Sequence, residues 1–212
     1  EVNMHTALRK SCNGYFVELM EKLEPDRVLR MVHSLGFENP LSLAPGLSCT
    51  AGTLSSAQTL QNARARANFS FGQGETTVSP VQLAAAVNAI AAGGIYTPPR
   101  LVYGTADANL EIEKEDLNEG YKVMEPTTAN RLRAYMESTA RYGTGISGAP
   151  QNCTSGIKTG TAQTGVYAES GDEILNYWYT GYICDSDDAP AYTIVILEET
   201  AGESHTADAF QK

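Results

Sequence analysis

Ser155-Gly156-Ile157-Lys158-Thr159-Gly160-Thr161-Ala162-Gln163 is the stretch that decides the fold. β-Branched threonines favour extended chain and present their hydroxyls alternately with the pleat, while the glycines beside them let another backbone come close. The run predicts a strand edge that holds a peptide-like ligand with a negative end. A phosphate loop is the obvious rival, because Gly156-Ile157-Lys158-Thr159 shares the end of G-x-x-x-x-G-K-[ST]. It fails on spacing: Ile157 stands where the second glycine must let backbone amides cradle phosphate, and no glycine lies at the required distance upstream. Taken alone, Lys158-Thr159-Gly160 also fits a glycine-rich hairpin strand with an exposed lysine.

A second motif, Ser11-Cys12-Asn13, falls between two helical patterns, one at Met4, Ala7 and Leu8 and the other at Phe16, Val17, Leu19, Met20 and Leu23. It belongs on an inter-helical turn, where Ser11 and Asn13 have a structural reading as helix N-caps. Paired with the later K-T-G, however, S-x-N resembles the S-D-N and K-T-G elements of penicillin-recognising serine enzymes. The resemblance extends to Phe71-Gly72-Gln73-Gly74 followed by Val78-Ser79-Pro80-Val81-Gln82-Leu83-Ala84, to Tyr142-Gly143-Thr144-Gly145, and to Tyr177-Trp178-Tyr179-Thr180-Gly181-Tyr182. From about residue 4 to about residue 200 the chain is similar to the class B (monofunctional) transpeptidase domain of penicillin-binding proteins.

That resemblance implies an α+β fold of the serine β-lactamase/penicillin-binding transpeptidase type, an antiparallel sheet with a helical lobe. Residues 1–212 would be the C-terminal part of the domain, with its N-terminal part missing. The family's S-x-x-K motif carries the nucleophilic serine at the start of a helix, but here the string occurs only as Ser155-Gly156-Ile157-Lys158. Residues three apart on a strand point to opposite faces, so Ser155 and Lys158 cannot form the pair that one helical turn creates. The chain is expected to lack its own nucleophile.

By the same resemblance the substrate is the D-alanyl-D-alanine end of a peptidoglycan stem peptide, which β-lactams mimic. Lys158 would supply positive charge near the substrate carboxylate and ease proton transfer. The hydroxyls of Thr159 and Thr161 would hold that carboxylate, and the Thr161 amide would donate to the oxyanion. Ser11 would relay a proton to the leaving amine, Asn13 would bind a substrate amide or carbonyl, and Gly160 would keep side chains away from the ligand. The resemblance implies no cofactor, stem peptides, β-lactams and other cell-wall synthesis proteins as partners, and a place on the extracytoplasmic face of the bacterial membrane. A D,D-carboxypeptidase, a β-lactamase-type hydrolase and a non-catalytic β-lactam sensor or scaffold stay open beside the transpeptidase.

Composition fits one globular domain, with 212 residues, 42% hydrophobic and 19% charged. A net charge of -10 opposes binding to nucleic acid and to anionic membrane surfaces. The most apolar run, residues 81–92, is interrupted by Gln82 and Asn88 and is too short to span a bilayer, so any membrane anchor is expected upstream. The acidic groups at Glu111, Glu113, Glu115, Asp116 and Glu119, and at Asp185, Asp187 and Asp188, read as solvated loops and not metal sites. Cys12, Cys49, Cys153 and Cys184 form no C-x-x-C, so zinc is not indicated, and their pairing stays open. His5, His33 and His205 are scattered, and neither G-x-S-x-G nor H-E-x-x-H occurs.

Helices are predicted at residues 3–10, 13–23, 26–35, 79–92 and 127–141. The fourth is the best punctuated, with Ser79 as N-cap, Pro80 in its first turn and Gly93-Gly94 beyond its end; Leu83, Val87 and Ile90 share its apolar face. Residues 95–102 and 110–112 suggest an edge hairpin. Residues 157–164, 175–184 and 192–198 read as an antiparallel meander, covered by a last short helix at 205–211.

Overall fold

Residues 2–114 and 118–212 are described by a computed structural model of the chain; the expected acidic loop residues Glu115 and Asp116 lie outside them. In chain order the elements are α1 (Met4–Arg9), α2 (Asn13–Glu21), α3 (Pro25–Ser34), β1 (Ser42–Ala44), β2 (Leu47–Ser48), α4 (Ala63–Ser70) and α5 (Pro80–Ala91). There follow β3 (Ile95–Tyr96), β4 (Gly104–Ala106), β5 (Ile112–Lys114), β6 (Tyr121–Lys122) and α6 (Pro126–Tyr142). The chain ends in β7 (Ser155–Tyr167), β8 (Glu173–Cys184), β9 (Pro190–Thr200) and α7 (Thr206–Gln211).

The expected meander is present: β7, β8 and β9 form an antiparallel sheet in that order, which leaves β7 at one edge. Alternation along the strands sends two apolar sets in opposite directions. Tyr182 and Cys184 pack with Val87 and Ala91 of α5, and Leu83 and Ile90 join them as the sequence predicts. On the other face Ile157 and Tyr179 pack with Phe210 of α7. Helix α6 serves both clusters, through Met136 in the first and Ala140 in the second. The β7–β8 register shifts between Gln163 and Tyr167, a bulge that bends the far end of β7.

Gln82 fixes the start of α5. Ser79 and Gln82 form a capping box, in which the Ser79 hydroxyl accepts from the Gln82 amide and Gln82 Oε1 accepts from the Ser79 amide. The Gln82 side chain is fully buried, and its Nε2 donates to the carbonyls of Gly36, Asn39 and Ala51 at 3.2, 3.3 and 2.6 Å. One polar side chain thus ties the core helix to the segment after α3. The apolar run is broken at this position because three carbonyls inside the fold need a donor.

One expectation is corrected. Residues 95–102 and 110–112 do not pair: β3 pairs with β6, and the hairpin is β4 with β5. Pro98 and Pro99 cannot donate to a ladder and end β3 after two residues. The Leu110 backbone, at φ 65, belongs to the turn of the hairpin and not to its strand. Helix α4 is an addition, at residues for which the sequence reading assigns no element. All four cysteines are free thiols.

Replacing Gln82 by leucine keeps the volume but strands these buried carbonyls, so urea unfolding should show a loss of about 2–4 kcal/mol. A change below about 0.5 kcal/mol would contradict this account of the α5 junction.

Candidate active site

Helix α1 ends at Arg9, and two residues later Ser11 adopts φ 52, a left-handed conformation that serine seldom takes. That turn redirects the chain into α2, whose N-cap is Cys12, in extended conformation and with no side-chain capping bond. The reading of Ser11 and Asn13 as N-caps is thereby corrected: Asn13 is already the first residue of α2, and the Ser11 hydroxyl is used elsewhere. It accepts a hydrogen bond of 2.9 Å from Lys158 Nζ, across 147 residues of sequence. The same ammonium donates to the Thr159 carbonyl at 2.5 Å.

Lys158 lies on the edge strand β7 opposite Thr180, on the face shared with Tyr182. Burial lowers its pKa from 10.5 to about 8. Thr159 and Thr161 alternate to the other face. The Thr159 hydroxyl donates to Thr144 Oγ1 at 2.9 Å, and the Thr161 carbonyl accepts a long 3.5 Å contact from Gln73 Nε2. The Thr159 and Thr161 carbonyls are two residues apart, as groups on one strand edge are, and both meet side chains instead of a neighbouring strand. A Cβ at Gly160 would come no closer than 3.6 Å to Trp178, an ordinary contact, so the protein's own packing does not demand glycine there.

These groups meet at a cavity of about 800 Å³ lined by Ser11, Asn13 and residues 158–161 on one side and by Arg64, Asn68, Phe71 and Gln73 on the other. Its lining includes two cations and, among the described residues, no aspartate or glutamate, although the chain carries a net charge of -10. The cavity therefore suits an anionic, amide-rich ligand laid along an open strand edge.

Ser11, Asn13, Lys158, Thr159, Gly160 and Thr161 are all brought together at this cavity. Of the opposite wall, Phe71 and Gln73 lie in a stretch quoted for the family resemblance, whereas sequence reasoning missed Arg64 and Asn68 of α4. Helix α4 starts at Asn62, whose side chain accepts from the amides of Arg64 and Ala65, and continues through Ala63-Arg64-Ala65-Arg66-Ala67. An N-cap followed by strong helix formers was the available signal. Thr144 was also missed as a partner of the K-T-G strand, since no sequence pattern announces a hydroxyl pair between a turn and a strand.

The family described as penicillin binding protein transpeptidase domain matches residues 1–212. The chain is 28% identical over 201 residues to penicillin-binding protein PbpB of Mycolicibacterium smegmatis, covering 89% of this chain and 30% of that protein. It is similar to the D,D-transpeptidase domain of a peptidoglycan glycosyltransferase from Eggerthella lenta, with TM-score 0.82 and 22% identity over 99% of this chain and 51% of that one. Penicillin-binding protein A from M. tuberculosis, captured as an imipenem acyl-enzyme complex, gives TM-score 0.82 and 23% identity over 99% of this chain and 45% of its own. The chain thus spans only part of the length of each. The two structural likenesses establish the α+β transpeptidase-like fold, with its antiparallel sheet and helical lobe.

The lowered pKa of Lys158 has a consequence for stability. Below pH 8 the folded state carries the full cost of a shielded ammonium; between pH 8 and 10.5 the unfolded chain binds more protons, so stability rises with pH and the cost fades. Lys158→Met should therefore be more stable than the parent at pH 7, with the advantage shrinking above pH 8. Urea unfolding at pH 7 and pH 10 checks this, and an advantage that grew with pH would contradict the buried-charge account.

Proposed function

This chain belongs to the penicillin binding protein transpeptidase domain family, and from that premise we propose that it forms the substrate-binding wall of a peptidoglycan D,D-transpeptidase. The observation that carries the reading is the 2.9 Å bond between Lys158 and Ser11, which joins K-T-G to S-x-N at the acid-free cavity. In this reading the D-alanyl-D-alanine end of a stem peptide lies along the outer edge of β7. Its carboxylate meets Lys158 and the threonine hydroxyls, and its peptide amide meets Asn13. The outward amide of Thr161 donates to the oxyanion as the tetrahedral intermediate forms. Glycine at 160, unneeded by the protein's own packing, leaves room for the ligand backbone.

The nucleophile in this reading is the serine of an S-x-x-K element upstream of residue 1. Its Oγ bonds to the penultimate D-alanine carbonyl carbon, and the bond from that carbon to the terminal D-alanine nitrogen breaks. The proton leaving the serine reaches the departing amine through Ser11, which Lys158 holds in place. An amine of a second stem peptide then takes the acyl group and frees the serine. β-Lactams enter as mimics of the acyl-D-alanyl-D-alanine amide, in keeping with the imipenem acyl-enzyme named for the M. tuberculosis protein. Such a reaction belongs on the extracytoplasmic face of the membrane. Among the described residues no helix is long and apolar enough to cross a bilayer.

Labelling with a fluorescent penicillin tests the proposal. Protein carrying S-x-x-K ahead of these residues should be acylated, residues 1–212 alone should not, and Lys158→Ala should slow acylation about 100-fold or more. Asn13→Ala should weaken penicillins with an amide side chain more than those without one. Acylation of the Lys158 and Asn13 variants at the parental rate would make S-x-N and K-T-G structural elements only. Product analysis with and without an amine acceptor separates a transpeptidase from a hydrolase.

A further inference from the structure

A hydroxyl carries one proton, and in Thr159 that proton is directed at Thr144 Oγ1, 2.9 Å away. While this bond is made, Thr159 has nothing to donate to a ligand carboxylate. Thr144 is itself held from several sides. Its amide donates to the Arg9 carbonyl at 3.2 Å, so the turn is tied to the end of α1 that leads into Ser11. The amides of Gly143 and Gly145 both donate to the Thr139 carbonyl, at 3.0 and 3.2 Å, and the Tyr179 hydroxyl donates to the Gly145 carbonyl. A Cβ at 143 would lie 2.3 Å from the Arg9 carbonyl, and one at 145 would lie 2.6 Å from Ile157 Cγ2. The turn is wedged between α1 and β7, with Thr144 presenting its only side chain.

We propose that Thr144 is a positioning residue for the carboxylate-binding hydroxyl of Thr159. When a carboxylate arrives the bond reverses: Thr144 donates to Thr159 Oγ1, and Thr159 donates to the carboxylate. Each hydroxyl can both donate and accept, so the reversal exchanges donor and acceptor between the same two side chains. The oxygen of Thr159 is held in place in both states, which lowers the ordering cost of binding. This inference rests on the transpeptidase reading and adds to it the residue that switches the carboxylate end of the site between a closed and a receptive hydrogen-bond state.

The test uses protein that carries these residues together with its S-x-x-K element, and separates the dissociation constant of the pre-acylation complex from the acylation rate constant by stopped-flow with a fluorescent penicillin. Thr144→Val should raise the dissociation constant about 2- to 10-fold with the rate constant unchanged, the size of one net hydrogen bond. Thr144→Ser should restore the parental value. The Thr144→Val effect should vanish with the methyl ester of the same penicillin and in a Thr159→Val background. A Thr144→Val variant that matches the parent, that weakens the ester equally, or that adds fully to Thr159→Val would overturn the inference while leaving the transpeptidase reading standing. An unlabelled parent would overturn both.

Discussion

The site is organised around one ammonium group that is shielded from water and, among the described residues, has no carboxylate paired with it. Removing a charge from water costs several kcal/mol even after relaxation, and proteins ordinarily offset this with an opposite charge. Lys158 has, among the described residues, only the Ser11 hydroxyl and the Thr159 carbonyl as hydrogen-bond partners. Both are dipoles, which hold the proton positions without cancelling the field. That field is therefore open to an incoming anion. Among the described residues the cavity lining has no aspartate or glutamate, which preserves the field in a chain of net charge -10. The left-handed backbone at Ser11 fits the same account: an uncommon conformation is retained because it delivers a hydroxyl to the ammonium.

The rest of the fold keeps that ammonium in register. The sheet sets Lys158 on its edge, α6 packs against both apolar clusters beside β7, and the turn after α6 touches α1 and β7 together. Segments far apart in sequence are thus held by contacts stiffer than the flexible lysine side chain they aim. The 2.9 Å bond from Lys158 to Ser11 is made where α1 packs on α6 and α6 on β7.

How much of this could be read from the sequence depended on the range of the cause. The three long strands and α5 were legible because alternation, capping and glycine punctuation act within a few residues. The site residues on Ser11-Cys12-Asn13 and Lys158 to Thr161 were legible because their order resembled a known family. What failed was decided at a distance. Ser11 carries every local mark of a cap, and only the approach of Lys158 explains why it is not one. An edge hairpin of residues 95–102 with 110–112 suits Pro98 and Pro99, yet the partner of β3 lies past residue 120. Helix α4 was overlooked because it is short and has no buried residue, which leaves almost no apolar period to detect.

An unpaired strand edge is open to any extended chain, including another copy of itself, and folded proteins guard such edges against self-pairing. Beyond Gln163 the exposed Val166 and Tyr167 would make β7 a sticky ribbon. The bulge between Gln163 and Tyr167 twists that part away, so the flat, receptive length of the edge is only a few residues long. The net charge of -10 adds repulsion between copies. The bulge thus works as a ruler, limiting the length of edge with which another extended chain can pair.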